Sequence, residues 1–178
     1  MIEEPVEFEE VKPSPIKKIV TIFLGIFLIV LFLTFLLTDS QLRSNIKGLF
    51  ESSKIKDEII TSGDITIIFN NELYKELLDI RKENIDVEFK LCLFADYSNK
   101  TYTVKELYKP ITYTQEYNKV VSEPCPKETL IDLHSHPYKH CSFSEQDVIS
   151  FNKFKELSKD AIMMVMCEEN RFNIYPFE

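Results

Sequence analysis

The chain is organised around the stretch DLHSHPYKHCSFSEQD, residues 132–147, which contains all three of its histidines. The apolar run that leads into it, TLIDL at residues 129–133, predicts a short buried strand. If the strand continues, His134 and His136 are two residues apart and point from the same face. Two imidazoles on one face can bind one metal ion.

A helix is predicted after the loop at residues 137–143, with Ser144 as its N-cap. Four apolar side chains at helical spacing mark its buried face: Val148, Phe151, Phe154 and Leu157. Asp147 lies in the first turn, from which its carboxylate can reach the two histidines. Two histidines and one carboxylate leave the fourth position of a tetrahedral zinc ion to water, as in catalytic sites. The alternative is that Ser144 and Asp147 form only a helix cap.

The HSHP sequence followed by SxxD resembles the JAMM (MPN+, or Mov34/JAB) zinc metallopeptidases. Ser144 lies eight residues after His136, and Asp147 lies eleven residues after it. The resemblance extends over roughly residues 63–178. It implies an α+β fold, an α/β sandwich in which helices pack on a mixed, MPN-like β-sheet.

The same family has an upstream glutamate that opens a strand, in a context similar to ExxGxLxG. Glu88 takes that place in VEFKLCLFA, residues 87–95, on the more polar face of a predicted strand. Leu91 stands where the family usually has glycine. Glu83 and Glu106 are the alternative candidates for the glutamate.

The resemblance also implies an activity, the hydrolysis of a peptide or isopeptide bond, for example at the junction between a ubiquitin-like protein and a lysine. Zinc on His134, His136 and Asp147 would activate water. Glu88 would accept the proton of that water and deliver it to the leaving amine, and Ser144 would stabilise the developing oxyanion. The alternative class is a membrane-tethered MPN scaffold that binds a partner without catalysis.

The cysteines do not form CxxC pairs, and their even number permits disulfides. We interpret two of them, Cys92 and Cys167, as buried thiols because they lie in apolar strands. Cys141 adjoins the proposed site, so a zinc site of His134, His136 and Cys141 is the rival ligand set.

The rest of the domain is predicted from periodicity. A helix follows Asn70 or Asn71, with a buried stripe of Leu73, Leu77 and Ile80. Further strands are predicted at residues 64–69, 101–108, 111–117, 161–167 and 171–177.

Residues 19–38, IVTIFLGIFLIVLFLTFLLT, contain no charge and are long enough to span a hydrocarbon core of about 30 Å. We predict one transmembrane helix, because the run is too long for a signal-peptide core. Residues 1–18, with five glutamates, are predicted to be a disordered tail. Residues 39–62 are predicted to be a polar, partly helical juxtamembrane linker. Its basic residues lie either in solvent or against anionic headgroups.

The charge distribution limits the possible partners and gives little indication of the membrane orientation. The net charge of −8, without a basic stripe, argues against nucleic acid. Lysines and arginines flank the span on both sides in similar numbers. We predict a cytoplasmic catalytic domain, because ubiquitin-like conjugates are made where ATP is available and unpaired thiols persist in a reducing compartment. The adjacent Lys17 and Lys18 argue for the opposite orientation.

Overall fold

A computed structural model describes residues 14–38, 40–137 and 140–175, which divide between Arg43 and Ser44 into two compact units. The helices are α1 (Pro15–Thr38), α2 (Ser40–Glu51), α3 (Asn71–Glu83) and α4 (Glu145–Lys155). The strands are β1 (Ser53–Lys54), β2 (Ile59–Ser62), β3 (Ile65–Ile68), β4 (Lys90–Ser98), β5 (Thr101–Tyr108), β6 (Thr112–Glu116), β7 (Lys119–Ser122), β8 (Ile131–Ser135), β9 (Ile162–Glu168) and β10 (Arg171–Tyr175).

Helix α1 is the apolar element of the first unit. It begins at Pro15, where proline is favoured because its missing N–H needs no partner, and Ser14 accepts a hydrogen bond from Lys17. None of its residues is buried, and it is long and apolar enough to cross a membrane. A signal sequence near an N-terminus would have the same properties. The predicted disordered tail lies outside the described residues up to residue 13, and its last four residues are helical.

The predicted linker at residues 39–62 is partly helical, as expected, because it contains α2. It is more than a linker, however, since the second unit begins at Ser44 and the strands β1 and β2 belong to the main sheet. The short alternating pattern of these strands was hidden by the polar residues around them. Two-residue and four-residue strands gain their hydrogen bonds from distant partners, which local periodicity does not reveal.

The main sheet has eight strands in the order β1-β10-β9-β8-β4-β5-β3-β2. Strand β8 is parallel to β9 and antiparallel to β4, which makes it a central strand. The two edge strands, β1 and β2, are consecutive in the chain. Lys56, which follows β1, and Ile59, which begins β2, exchange backbone hydrogen bonds of 2.9 Å across a turn at Asp57 and Glu58. The two edges therefore approach each other, and the sheet curves into a near-barrel.

The core lies inside this curved sheet, and α3 fills it. Leu77 of α3 packs there with Leu91, Leu133 and Met164. The other face of the central strands packs against α4, where Phe151 and other apolar side chains form a second cluster. Because β8 is covered on both faces, the residues that alternate with Leu133 are also buried.

Strands β6 and β7 form a separate two-stranded hairpin, of which only β6 was predicted. The last predicted strand, at residues 171–177, is β10 as far as Tyr175, and its final two residues lie outside the described part. Leu157, predicted to continue the buried face of α4, follows the end of that helix and is 72% exposed. The structure is therefore a mixed helix and sheet domain preceded by one apolar helix.

The prediction of unpaired thiols is wrong, because all four cysteines form disulfides. Cys92 on β4 is bonded to Cys125, and Cys141 is bonded to Cys167 at the end of β9. The partners are 33 and 26 residues apart in the sequence. Only the folding of the sheet brings the partners together. The sequence showed each cysteine only in its local apolar surroundings, which are typical of buried thiols.

Candidate metal centre

Strand β8 positions the two histidines. His134 pairs with Lys90 on β4 and with Val165 on β9, so its backbone is held on both sides. His136 follows the strand, and its N–H donates to the carbonyl of Met166 at 3.1 Å. The extended backbone keeps the two side chains on one face, with ring centroids 4.9 Å apart. Both histidines are buried.

Helix α4 supplies the third group through its N-terminal cap. Ser144 is the N-cap, and its hydroxyl oxygen accepts the N–H of Asp147 at 3.1 Å. In return the N–H of Ser144 donates to Asp147 Oδ2 at 2.7 Å, which completes a capping box. The cap and the metal interpretation are therefore compatible, because the same carboxylate that caps the helix also faces the histidines.

The three predicted ligands meet at one point. Asp147 Oδ2 lies 3.4 Å from His134 Nε2 and 3.7 Å from His136 Nε2. One ligand atom from each residue lies within 4.8 Å of the others, so the group could hold a metal ion. His134 Nε2 is buried and meets hydrogen-bond geometry with no described residue, although Asp147 Oδ2 lies 3.4 Å away. A buried nitrogen without a well-formed hydrogen bond is costly unless something else binds it.

The backbone fixes the orientation of His136. Its Nδ1 lies 3.2 Å from the carbonyl oxygen of His140, and a carbonyl can only accept, so Nδ1 carries the proton. The Nε2 lone pair is then directed toward Asp147 and His134. This arrangement, with one ring nitrogen held by a carbonyl, is usual for histidines that bind metals.

The electrostatics of the group favour a cation between the ligands. Burial and the nearby His134 lower the pKa of His136 to about 3, so this ring is neutral. Burial also lowers the pKa of His134, but the adjacent carboxylates, Asp147 first, raise it overall. Burial opposes ionisation of Asp147, yet His134 and Ser144 hold the pKa of that carboxyl well below its usual range. The raised pKa of His134 beside a carboxyl whose pKa is lowered means that positive charge is stabilised where the three groups meet.

Glu88 lies beside this group, two residues before β4 begins rather than within the predicted strand. Its Oε1 is 3.5 Å from His136 Nε2. Burial raises the pKa of Glu88 to about 7, against a smaller opposing effect of His134. The two alternative glutamates, Glu83 and Glu106, are exposed and do not line the site. Leu91, in place of the family's glycine, is fully buried in the core.

The hairpin β6–β7 holds Glu88 in place. The N–H of Glu88 donates to the carbonyl of Glu116 at 2.9 Å. A second bond joins the hairpin to the segment just before Glu88, because Gln115 Nε2 donates to Asn84 Oδ1 at 2.7 Å. Sequence periodicity gave no sign of these contacts, which connect positions about 30 residues apart.

The loop between the histidines and α4 is held by several groups. The disulfide of Cys141 fixes it to β9, and Asn173 Nδ2 donates to the carbonyl of Cys141 at 2.6 Å. Gly48 of α2 packs against it so closely that an added Cβ would lie 2.8 Å from the backbone of Cys141 and Ser142. The disulfide also rules out the rival ligand set, since the Cys141 sulfur is bonded to carbon and sulfur and carries no thiolate.

Two supporting residues were missed by the sequence analysis. Arg81 is buried in α3, and its Nη2 donates to the carbonyl of His136 at 3.1 Å. Its position four residues after Leu77, on the apolar stripe, was an available signal. Asp132 is buried two residues before His134 on the same face, and its Oδ2 lies 2.9 Å from Lys90 Nζ.

The group opens into a cleft of about 860 Å³ between the hairpin and α4. Its lining includes Glu88, His134, Ser144 and Asp147, together with apolar side chains of α4 and β7. The cleft is therefore large enough for several residues of an extended polypeptide. No protein-family model matches the chain, and no curated protein matches it.

Proposed function

We propose that the chain is a membrane-anchored, zinc-dependent peptidase that hydrolyses an amide bond of a protein substrate. The observation that carries this proposal is the convergence of His134, His136 and Asp147 beside the buried carboxyl of Glu88, within an open cleft. The resemblance to the JAMM metallopeptidases adds the expected roles of these residues.

Zinc suits the donor set, because imidazole nitrogens and a carboxylate oxygen are its usual ligands. Ligand atoms about 2.1 Å from a tetrahedral ion lie about 3.4 Å apart. The distances from Asp147 Oδ2 to the two Nε2 atoms, 3.4 and 3.7 Å, agree with that value. Three protein ligands leave one position for a water molecule, whose pKa bound zinc lowers to about 7.

Glu88 is the proposed proton carrier. Its carboxyl faces the group from the cleft, and a pKa of about 7 suits both acceptance and release of a proton near neutral pH. Ser144 is the proposed oxyanion partner. Its oxygen accepts the N–H of Asp147, and the cap does not use its own hydroxyl proton, which can be donated to a substrate oxygen.

The element order supports an MPN-like architecture as part of the proposal. A strand and a helix (β3 and α3) precede Glu88, the β4–β5 hairpin follows it, and then β8, α4 and β9 carry and support the ligands. This is the order that the resemblance implies.

We also propose that α1 anchors the protein with its domain in an oxidising compartment. Two disulfides are typical of such compartments, and the thiol argument for the cytoplasm no longer applies. Lys17 and Lys18 in the first turn of α1, just before its uncharged run, agree with a cytoplasmic tail. The substrate would then be an ordinary peptide bond rather than a conjugate made where ATP is available.

The first experiment measures zinc and hydrolysis together on the full chain in detergent. We expect about one zinc per chain and cleavage of an unfolded protein substrate that a chelator abolishes. A ubiquitin-like fusion serves as the second substrate. Zinc without cleavage of either substrate would favour the non-catalytic scaffold. Cleavage that resists the chelator would contradict the metal mechanism.

The second experiment determines the side of the membrane. Intact cells are treated with an impermeant reductant and then with an impermeant maleimide. Modification of the cysteines without lysis is expected for an external domain. Modification only after lysis would show that the domain lies in the cytoplasm.

A further inference from the structure

Helix α2 exposes an apolar face that the proposed hydrolysis does not use. Ile46, Leu49 and Phe50 are 46%, 44% and 88% exposed. Their spacing of three and four residues places them on one side of the helix. A phenylalanine exposed to this extent, next to two other large apolar side chains, indicates a surface that binds something.

The opposite side of α2 packs against the domain. Gly48 lies about 200° around the helix from Ile46, and it packs against the backbone of Cys141 and Ser142. Arg171 Nη1 donates to the carbonyl of Leu49 at 3.3 Å and to Ser52 Oγ at 3.1 Å. The helix is therefore fixed to the domain, and its apolar face is directed outward.

The sequence around the face indicates what covers it. Helix α1, which is long and apolar enough to cross a membrane, ends at Thr38, and one residue separates it in the sequence from the start of α2 at Ser40. Arg43 and Lys47 lie on α2 at the border of the apolar face, in a chain whose net charge is −8. An apolar stripe bordered by basic residues is typical of helices that lie in the surface of a bilayer.

We propose that the face of Ile46, Leu49 and Phe50 lies in the interfacial layer of the membrane that α1 crosses. Arg43 and Lys47 would contact anionic headgroups, and the apolar side chains would enter the bilayer by about 5–10 Å. The solvated linker considered from the sequence is then replaced by a docking helix. Because Gly48 packs on the loop that follows the histidines, the contact holds the candidate metal centre close to the membrane surface.

The chain contains no tryptophan, so Phe50→Trp introduces a single fluorescent reporter. The full-length variant is reconstituted into vesicles of neutral and anionic phospholipids. We expect emission at shorter wavelength than in the control, and strong quenching by lipids brominated along the upper acyl chain. The control is the full-length Tyr117→Trp protein. Tyr117 lies on the turn between β6 and β7 and is 56% exposed. It should emit as in water and resist the brominated lipids.

Two results would overturn the proposal. The Phe50→Trp protein could match the control in wavelength and quenching, which would mean that the face lies in water. Its emission could instead be shifted but unaffected by brominated lipid and dependent on protein density in the vesicle. That result would show that a second copy of the chain covers the face.

Discussion

The two halves of the candidate site are positioned by different means. The ligand half, His134, His136 and Asp147, rests on a central strand and a capped helix, and a disulfide fixes the loop between them. The base half is Glu88, the proposed proton carrier, which precedes its strand. Its N–H donates to a carbonyl of a separate hairpin, and the hairpin also bonds to Asn84 just before it.

Under the proposed function, this difference matches two separate tasks. Ligand geometry must be accurate before a metal binds, and buried strands with a covalent cross-link provide that accuracy. A proton carrier must face both water and substrate, and a hairpin that borders the cleft can adjust as substrate enters. Metal binding and turnover should therefore respond to different substitutions.

The largest effect is expected from the loss of a proposed metal ligand. His136→Ala should reduce zinc from about one per chain to none and abolish hydrolysis, because two ligands do not retain the ion. Mass spectrometry of metal content after dialysis measures this. His140→Ala is the control, because the variant keeps the backbone carbonyl that accepts from His136 Nδ1. Stoichiometric zinc in the His136→Ala protein would refute the ligand assignment.

The next effect separates the base half from the ligand half. Glu88→Gln should lower hydrolysis by at least about 10²-fold, the lower range for loss of a general acid–base group, while zinc content stays unchanged. Glu106→Gln, at an exposed position on β5, should retain full activity. Undiminished turnover of the Glu88→Gln protein would assign the proton transfer to another group.

The third prediction concerns the two disulfides. Replacing Cys141 and Cys167 with serine should lower the free energy of unfolding by about 3 kcal/mol and also weaken zinc binding, because the loop after His136 loses its cross-link. Replacing Cys92 and Cys125 should cost similar stability and leave zinc affinity nearly intact. Denaturant unfolding and zinc titration measure the two quantities. Equal losses of zinc affinity would show that the cross-links have no distinct roles.

A smaller effect is the pH dependence of stability in the metal-free protein. The folded-state pKa of Glu88 is raised from 4.5 to about 7, so its contribution to stability is fully present below pH 4.5 and is lost as pH rises through 7. Glu88→Gln removes that loss. The variant should be more stable than the unaltered chain by about 2 kcal/mol at pH 8, and not at pH 4. A constant difference between the two pH values would contradict the raised pKa.

The smallest effect is expected from the loss of a hydrogen bond between the hairpin and the segment before Glu88. Gln115→Ala removes the bond to Asn84 and should lower turnover about fivefold, the equivalent of about 1 kcal/mol, without changing zinc content. Glu116→Ala is the matched control. It alters an exposed side chain and keeps the carbonyl that binds the Glu88 N–H. A loss of zinc in the Gln115→Ala protein would show that the two halves are not independent.

Features that depend on neighbouring residues could be predicted from the amino-acid sequence alone. Extended backbone alternates its side chains, so the spacing of His134 and His136 was enough to place them on one face. Helical periodicity and an N-cap residue located α4, and with it the position of Asp147. The length and composition of residues 19–38 identified the apolar helix α1.

The tertiary structure decided what depends on residues far apart in the chain. Four cysteines allow three pairings, and only the arrangement of β4, β9 and their loops selects one of them. The disulfides remove the argument that unpaired thiols favour the cytoplasm. The support of Glu88 by the hairpin and the close approach of Gly48 to the site loop arise in the same way. Local propensities act over a few residues, whereas these contacts form only when the sheet curves and brings distant segments together.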